Sequence, residues 1–353
     1  DVDPPVVTIN GVRQGSELRV SVNATDAGSG VKRIFYSLDE THYQLYTGPL
    51  TVDPNQTSII RAFADDNLAN RSSVIVFYPS LSNNPADNPQ FFVRQHYFDF
   101  LNRTPDSSGL SFWANEITLC GTDQTCIEQK RINVSGAFYL SIEFQQTGYL
   151  VERIYKAAYG DSNGISTFNG THQLAVPAVR FNELLTDSQS IGQNVVVGQN
   201  GWEALLESNK QAFLAAFVQR ARFTGAYPGS LTPAAFVDLL FSNSGLVPSS
   251  SERQAAIDEF AGALTSADNA ARAKALRRVA ENATLVQQEY NRAFVLMQYF
   301  GYLRRNPNDA PDADYTGYDF WLTKLNHFDG NFVTAEMVKA FIVSSEYRQR
   351  FGP

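Results

Sequence analysis

One motif is written twice in this chain. "RTPDSSGLSFW" runs from Arg103 to Trp113 and "RNPNDAPDADYTGYDFW" from Arg305 to Trp321, the second with acids inserted in its middle. A long-range internal repeat constrains architecture before it says anything about chemistry. The agreement extends on both sides. Tyr97-Phe98 matches Tyr299-Phe300, Phe100-Leu101 matches Tyr302-Leu303, and "AFYLSIEF" (Ala137–Phe144) matches "AFIVSSEY" (Ala340–Tyr347). The offset is 202 residues at the first tyrosines, 208 at Gly109 and Gly317, and 203 at the alanines. The second copy therefore has six extra residues before its glycine. The first has five extra after its tryptophan, where "CGTDQTC" sits.

Each copy reads as a short helical unit. A helix should end near Leu101, because Pro105 cannot continue it, and Asp106 or Ser107 should cap the next. Trp113, one turn past Gly109, should pack back on Tyr97 and Leu101; an aromatic at helical spacing beside a repeat glycine reads as core rather than as a sugar-stacking platform. A third helix carries Ala137-Phe138 and Glu143 closes the unit, while the Ser of "SIEF" and "SSEY" offers a start for the next helix. On this reading Arg103, Pro105, Gly109, Trp113 and Glu143, with Arg305, Pro307, Gly317, Trp321 and Glu346, are structural residues of the repeat.

Ahead of the repeat the period is different. Residues 1–79 read as short strands: "VVTI", "LRVSVNAT", "VKRIFYSLD", "SIIRAFAD" and "SVIVFYP", split by turn chemistry in "NGVRQGS", "DAGSG", "TGP" and "DDNLAN". Short strands at this spacing suggest an antiparallel sandwich. "DPPVVTI", "ATDAGSGVKRIFYSLDE", "YTGPLTV" and "IIRAFADDNLAN" resemble the bacterial immunoglobulin-like or fibronectin-like modules of secreted and surface proteins, and the middle is similar to the small β module attached to chitobiase-type enzymes. Residues 80–88 read as a linker, with Asp87 or Asn88 capping a helix that has Pro89 in its first turn. From 89 to 353 the apolar residues recur at helical spacing, with no strand expected after residue 86 except the short "NVVVG" at 194–198. The expected fold is multidomain: an all-β immunoglobulin-like sandwich followed by an all-α helical repeat domain.

"YFDFLNRTPDSSGLSFW" and "AFYLSIEF" resemble the bacterial family known as a domain of unknown function, DUF 4214, which is distantly similar to phycobilisome linker domains. The likeness covers residues 86–160 and 285–353, and residues 161–284 look like a degenerate copy without the tryptophan. The repeat units are thus about 89–160, 161–284 and 285–353. The resemblance implies a place near the end of long secreted or surface proteins, with no established catalytic residues. The second copy departs from the family's Pro-Asp-x-x-Gly through its insertion.

Composition narrows the partners. Apolar residues make up 43% and charged ones 18% of the 353, enough for real cores. The net charge of −8 argues against a nucleic-acid partner, which would want a basic face. No apolar run approaches the ~20 residues of a membrane span. "DVDPPVVTI" opens directly on a strand, so the chain is expected to be cytosolic or a mature chain without its leader. The only cysteines, Cys120 and Cys126, have poor zinc spacing and sit in the inserted loop. A local disulfide is expected, which places the protein in an oxidising setting, extracellular or at the cell surface. Seven sequons (Asn23, Asn55, Asn70, Asn102, Asn133, Asn169, Asn282) are compatible with that.

Candidates for chemistry are few. "GDSNG" fits the Gly-x-Ser-x-Gly elbow, but a helix precedes Ser162 where a buried strand is needed, so it reads as a turn. His42, His96, His172 and His327 are far apart, and a Ser-His-Asp triad would have to assemble in space. In "NPNDAPDADYTG", Asp312, Asp314, Thr316 and Gly317 match the start of a calcium loop, but its twelfth position is Thr323, where a bidentate Glu is wanted. Two readings stay open: a divalent cation, calcium, held by Asp309, Asp312 and Asp314, or a solvated acidic loop.

The expected function is a non-enzymatic extracellular structural protein, a subunit of a surface layer or self-assembling filament. Homo-oligomers or polymers would form through the N-terminal strand "PPVVTI", added to a neighbour's sheet. The rivals are a carbohydrate-binding adhesin on surface polysaccharide and a carbohydrate-active enzyme with an accessory β module. Paired carboxylates roughly 5–10 Å apart in a cavity would favour the enzyme, and a tryptophan-lined cavity the adhesin.

Overall fold

A computed structural model describes residues 3–351 apart from 15, 16, 40, 55, 58, 78 and 80–83. The sequon residue Asn55 and residues 80–83 of the expected linker lie outside the described residues. Compactness divides the chain into two units. One holds Asp1–Gln95, Pro105–Arg131 and Ser344–Pro353; the other holds His96–Thr104 and Ile132–Val343.

In the first unit, seven strands form two antiparallel sheets: β1 (Val6–Gln14), β2 (Glu17–Thr25), β3 (Val31–Ser37), β4 (Gln44–Leu45), β5 (Leu50–Val52), β6 (Ile60–Asp66) and β7 (Ile75–Phe77). Their orders are β1-β2-β5 and β4-β3-β6-β7. Val7 and Val22 of one sheet share an apolar cluster with Ala62 and Ala64 of the other, and Val20 and Val52 share a second with Ile60. In β2 burial falls on the alternate residues Val20 and Val22, whereas β6 is buried along nearly its whole length. The Asn10-Gly11 pair, expected in a turn, lies inside β1, which pairs with β2 without interruption from Val6↔Thr25 to Gln14↔Glu17. The glycine is needed for packing: a Cβ at Gly11 would come 2.6 Å from the Phe77 ring of the facing sheet. The expected turn "DDNLAN" is real, with Asp66 accepting from the Leu68 and Asn70 amides at 2.9 and 2.7 Å.

The sandwich is tied to the helices that follow it in the same unit. Asn84 caps a 3-10 turn (Pro85–Asp87), and Asn88 caps the first long helix (Pro89–Leu101) by accepting from Phe91 N–H. Asn88 and Gln90 donate to the Pro54 and Gln56 carbonyls. The C-terminal segment closes this unit: Arg348 forks onto Asp87 at 2.6 and 2.7 Å, and Phe351 meets Phe91 edge-on. Asp106 caps Ser107–Thr118 through the Gly109 amide, and Cys120 and Cys126 are bonded to each other across the turn that leads into Gln124–Leu140.

The second unit is built round one helix, Gly148–Tyr159, of which Gly148 through Ala158 are all buried. Helices Phe181–Gly192, Pro233–Ser244 and Asn269–Ala280 pack on it. The expectation of an all-α region is corrected here. A hairpin, β8 (Asp161–Ser166) and β9 (His172–Pro177), follows the helix directly, and Ser162 lies on β8 opposite Val176 rather than in a turn. "DSNGIS" carries almost no apolar alternation, so it gives no strand signal. Its tip does carry one: Asn169 and Gly170 adopt positive φ of 55° and 105°, and Asn-Gly is a strong hairpin marker. "NVVVG" forms no strand.

The disulfide closes a loop of seven residues, for which chain entropy predicts a stabilisation of about 2 kcal/mol. Titration of the denatured, unreduced protein should find no free thiol, and replacing both cysteines by serine should lower the urea-derived stability by about that amount.

Candidate functional site

The repeat residues do local structural work. Arg103 forks onto Glu143, Nε to Oε1 at 2.7 Å and Nη2 to Oε2 at 2.9 Å, with both side chains largely buried. The same guanidinium lies 4.9 Å above the Tyr97 ring, and Arg305 repeats this 5.5 Å above Tyr299. Each arginine follows a residue of left-handed backbone, Asn102 (φ 54°) or Arg304 (φ 58°), and donates its amide to the matching tyrosine carbonyl at 3.4 Å. Ser141 and Ser344 cap matching short helices, accepting from the Phe144 and Tyr347 amides, and Glu143 and Glu346 stand in their first turns. Gly317 abuts the Tyr299 hydroxyl, where a Cβ would not fit. Trp321 rests against Phe341, which also meets Tyr299, so it is part of an aromatic core. Pro105 and Pro307 stand outside the helices that end before them, consistent with their missing N–H.

The six inserted residues of the second copy meet the hairpin. Tyr315 donates its amide to the Ile165 carbonyl, Thr316 Oγ1 accepts from Thr167 N–H, and Phe168 packs edge-on against Phe320. The three carboxylates of this loop go separate ways. Asp309 takes the amide and side chain of Asn306 and, at 3.2 Å, Arg180; Asp312 takes Arg305 Nη2 at 2.8 Å; Asp314 takes the Thr316 amide at 2.9 Å. Hydrogen bonds from Asn306 hold the Asp309 carboxyl below its ordinary pKa against the opposing effect of desolvation, and the Thr316 amide does the same for Asp314. No group of three His, Cys, Asp or Glu among the described residues is placed to share an ion. The loop is latched by arginines instead.

The histidines do not complete a triad. His96 Nε2 meets Ser135 Oγ at 2.8 Å, but both residues are 1% exposed, and a nucleophile there would be closed to substrate. Near the hairpin, Ser166 donates to Asp319 Oδ2 at 2.6 Å while His172 Nε2 stands 3.2 Å from the same oxygen. Asp319 thus lies between the other two, whereas a triad needs the histidine there. His42 pairs with Asp39 on the surface, and His327 lies beside Phe328.

A cluster of buried charges lies where no sequence motif points. The buried helix Gly148–Tyr159 carries Glu152, Arg153 and Lys156, all at most 7% exposed. Lys156 Nζ is 2.7 Å from Asp161 and 3.7 Å from Glu289; Arg292 is 2.6 Å from Asp161. Arg292 Nε approaches Glu289 Oε2 at 3.0 Å, yet neither atom is aligned for a hydrogen bond, and Glu152 Oε2 has no partner. Burial raises the Glu152 carboxyl well above its ordinary 4.5, helped by the Glu289 charge, and burial likewise raises Glu289. Three charges within five residues ordinarily mark a solvated helix face, which is why "VERIYK" conceals this cluster.

The cavities offer recognition groups and no paired acids. One of about 550 Å³ is lined by Gln287, Gln288, Tyr290, Asn291, Arg292 and Asn326 among others. A second of about 460 Å³ is lined by Asn102, Arg103, Thr104, Thr186 and the amides of Gln189, Gln193 and Asn194. A third of about 270 Å³ has one carboxylate, Glu252, engaged by Ser249 and Asn282. None of the three is lined by tryptophan.

Compared with known proteins, the chain matches no family model, no curated protein and no solved structure.

Two outcomes follow from this geometry. A carboxyl whose pKa is raised by folding contributes stability that is complete below its ordinary 4.5 and is lost as pH rises through the folded value. Glu152→Gln should therefore raise the urea midpoint at pH 7 relative to the parent, with the gain vanishing at pH 4. Adding millimolar calcium to chelator-treated protein should leave its melting temperature unchanged, and a rise would mean that the three aspartates do gather round an ion.

Proposed function

We propose that this chain is a non-enzymatic structural protein of the cell exterior, a subunit of a surface layer or self-assembling filament. On this reading its two-sheet module is immunoglobulin-like and its helices are repeats of the DUF 4214 kind. One observation carries the proposal: the polar residues that mark the repeat are taken up by partners within their own fold. Arg103 is committed to Glu143, Arg305 to Asp312, and Ser141 and Ser344 to helix caps. The disulfide supports an oxidising location. No helix among the described residues is long and apolar enough to cross a membrane.

The adhesin reading draws support from the 460 Å³ cavity, whose amides, hydroxyls and arginine match the hydroxyl pattern of a polysaccharide. Light scattering and electron microscopy of the concentrated, purified protein separate the two. Growth with concentration into filaments or sheets is expected. A protein that stays monomeric overturns the assembly reading, and one that is monomeric yet retained on a polysaccharide column is the adhesin.

A further inference from the structure

The β1 strand is nine residues long and stands at the edge of its sheet, with β2 as its partner on one side. No hydrogen bond from another described residue reaches its other side. The other edges of these two sheets are far shorter: β4 has two residues, β5 and β7 three each. Natural proteins blunt long edges with charges, bulges or prolines. From Val6 to Val12, "VVTINGV" has no charged residue, and its register with β2 shows no bulge. Pro4 and Pro5 immediately precede it and cannot donate to a ladder.

Alternation divides the strand. Val7 and Ile9 turn into the sandwich, whereas Val6, Thr8, Asn10 and Val12 are exposed, the two valines at 65% and 64%. If two copies of β1 pair antiparallel with the exposed faces on the same side, the register must be centred on a residue of the strand. Centring on Thr8 sets Val6 against Asn10, and centring on Asn10 sets Val6 against Gln14. Centring on Ile9 sets Val6 against Val12 at both ends and Thr8 against Asn10 between them. Apolar pairs of β-branched residues directly opposite one another stabilise a sheet. In this register the prolines fall beyond the valine pairs, and each Arg13 lies opposite Pro5, remote from its counterpart.

We propose that a second copy of this chain docks on the outer edge of β1, joining the two three-stranded sheets into one of six through an antiparallel pairing centred on Ile9. This deepens the assembly reading and rests on it. The strand itself stays in its own sheet; what it offers its neighbour is its edge. Because the contact uses the same surface on both copies, it closes at a pair, and a filament or layer then requires a second, different contact.

Since Cys120 and Cys126 are bonded to each other, an introduced cysteine is the reactive thiol. Thr8→Cys mixed with Asn10→Cys should form an intermolecular disulfide at higher yield than either variant alone, and Val12→Lys should give monomers with an unchanged melting temperature where the parent is dimeric. If the Thr8→Cys protein alone crosslinks better than the mixture, the register is wrong. Assembly that persists in Val12→Lys without the mixed disulfide overturns the β1 contact and leaves the assembly reading standing. A parent that is monomeric at every concentration overturns both.

Discussion

The second unit depends on burying three charges in one helix. Taking Glu152, Arg153 and Lys156 out of water costs several kcal/mol per ion unless partners are brought to them. The chain supplies those partners from far along its length. Gly160, at φ 72°, ends the helix and reverses the backbone, so that Asp161 stands beside Lys156 at once. Arg292 then arrives from the helix Tyr290–Met297 and meets both Asp161 and Glu289. Arg153 lies 4.1 Å above the Tyr149 ring, where its delocalised charge is tolerated. The helix end is satisfied as well, since Tyr227 and Asn243 both donate to the Ala158 carbonyl at 2.6 and 2.9 Å. Removing Asp161 would leave Lys156 and Arg292 short of a counter-charge, whereas Glu152, whose Oε2 has no partner, is the member the cluster can lose.

From that cluster the rest of the unit can be followed outward. Asp161 is also the first residue of β8, so the ion pair that neutralises Lys156 positions the hairpin. Gly164 on β8 has no room for a side chain because the Tyr315 ring and Val176 fill the space. Tyr315 and Asp319 of the second repeat copy are thereby fixed, the first by the Ile165 carbonyl and the second by Ser166. The six extra residues of that copy become intelligible here. They carry the chain past the hairpin, and Arg180, at the start of Phe181–Gly192, catches them through Asn308, Asp309 and the Tyr315 hydroxyl.

What could be read from the sequence was what short-range chemistry decides. The caps at Asp106, Ser141 and Ser344 were visible because a side-chain oxygen reaches an amide three residues away, whatever surrounds it. Cysteines six positions apart in an inserted loop were visible for the same reason. The Arg103–Glu143 fork was half visible: both residues recur in the repeat, but nothing local says that they meet across 40 positions. For the aspartates of the second copy the sequence leaves two readings open, because proximity in sequence does not decide convergence in space. Each found a nearer donor, Asn306, Arg305 or Thr316, before an ion was needed. The hairpin was lost for the opposite reason. β8 is polar and buries only Gly164 and Ser166, and β9 is buried only at its end, at Val176 and Pro177, so periodicity has little to register.

The two units deal with exposed polarity in contrasting ways, and the contrast bears on function. In the helical unit the repeat arginines Arg103 and Arg305 and the loop residues Asp309 and Asp312 are engaged by partners within the unit. In the two-sheet region the Asp65 carboxylate is buried as well, held by Arg33 and Arg71, whose own side chains reach the surface. What the described residues of the two-sheet region leave open is backbone: a β1 edge without charge from Val6 to Val12, with two exposed valines placed symmetrically about Ile9. Backbone edges bind other edges without requiring a catalytic group, and their specificity comes from side-chain register alone. Pairing through a strand edge would need no catalytic group, and that is the physical sense of the structural role proposed for this chain.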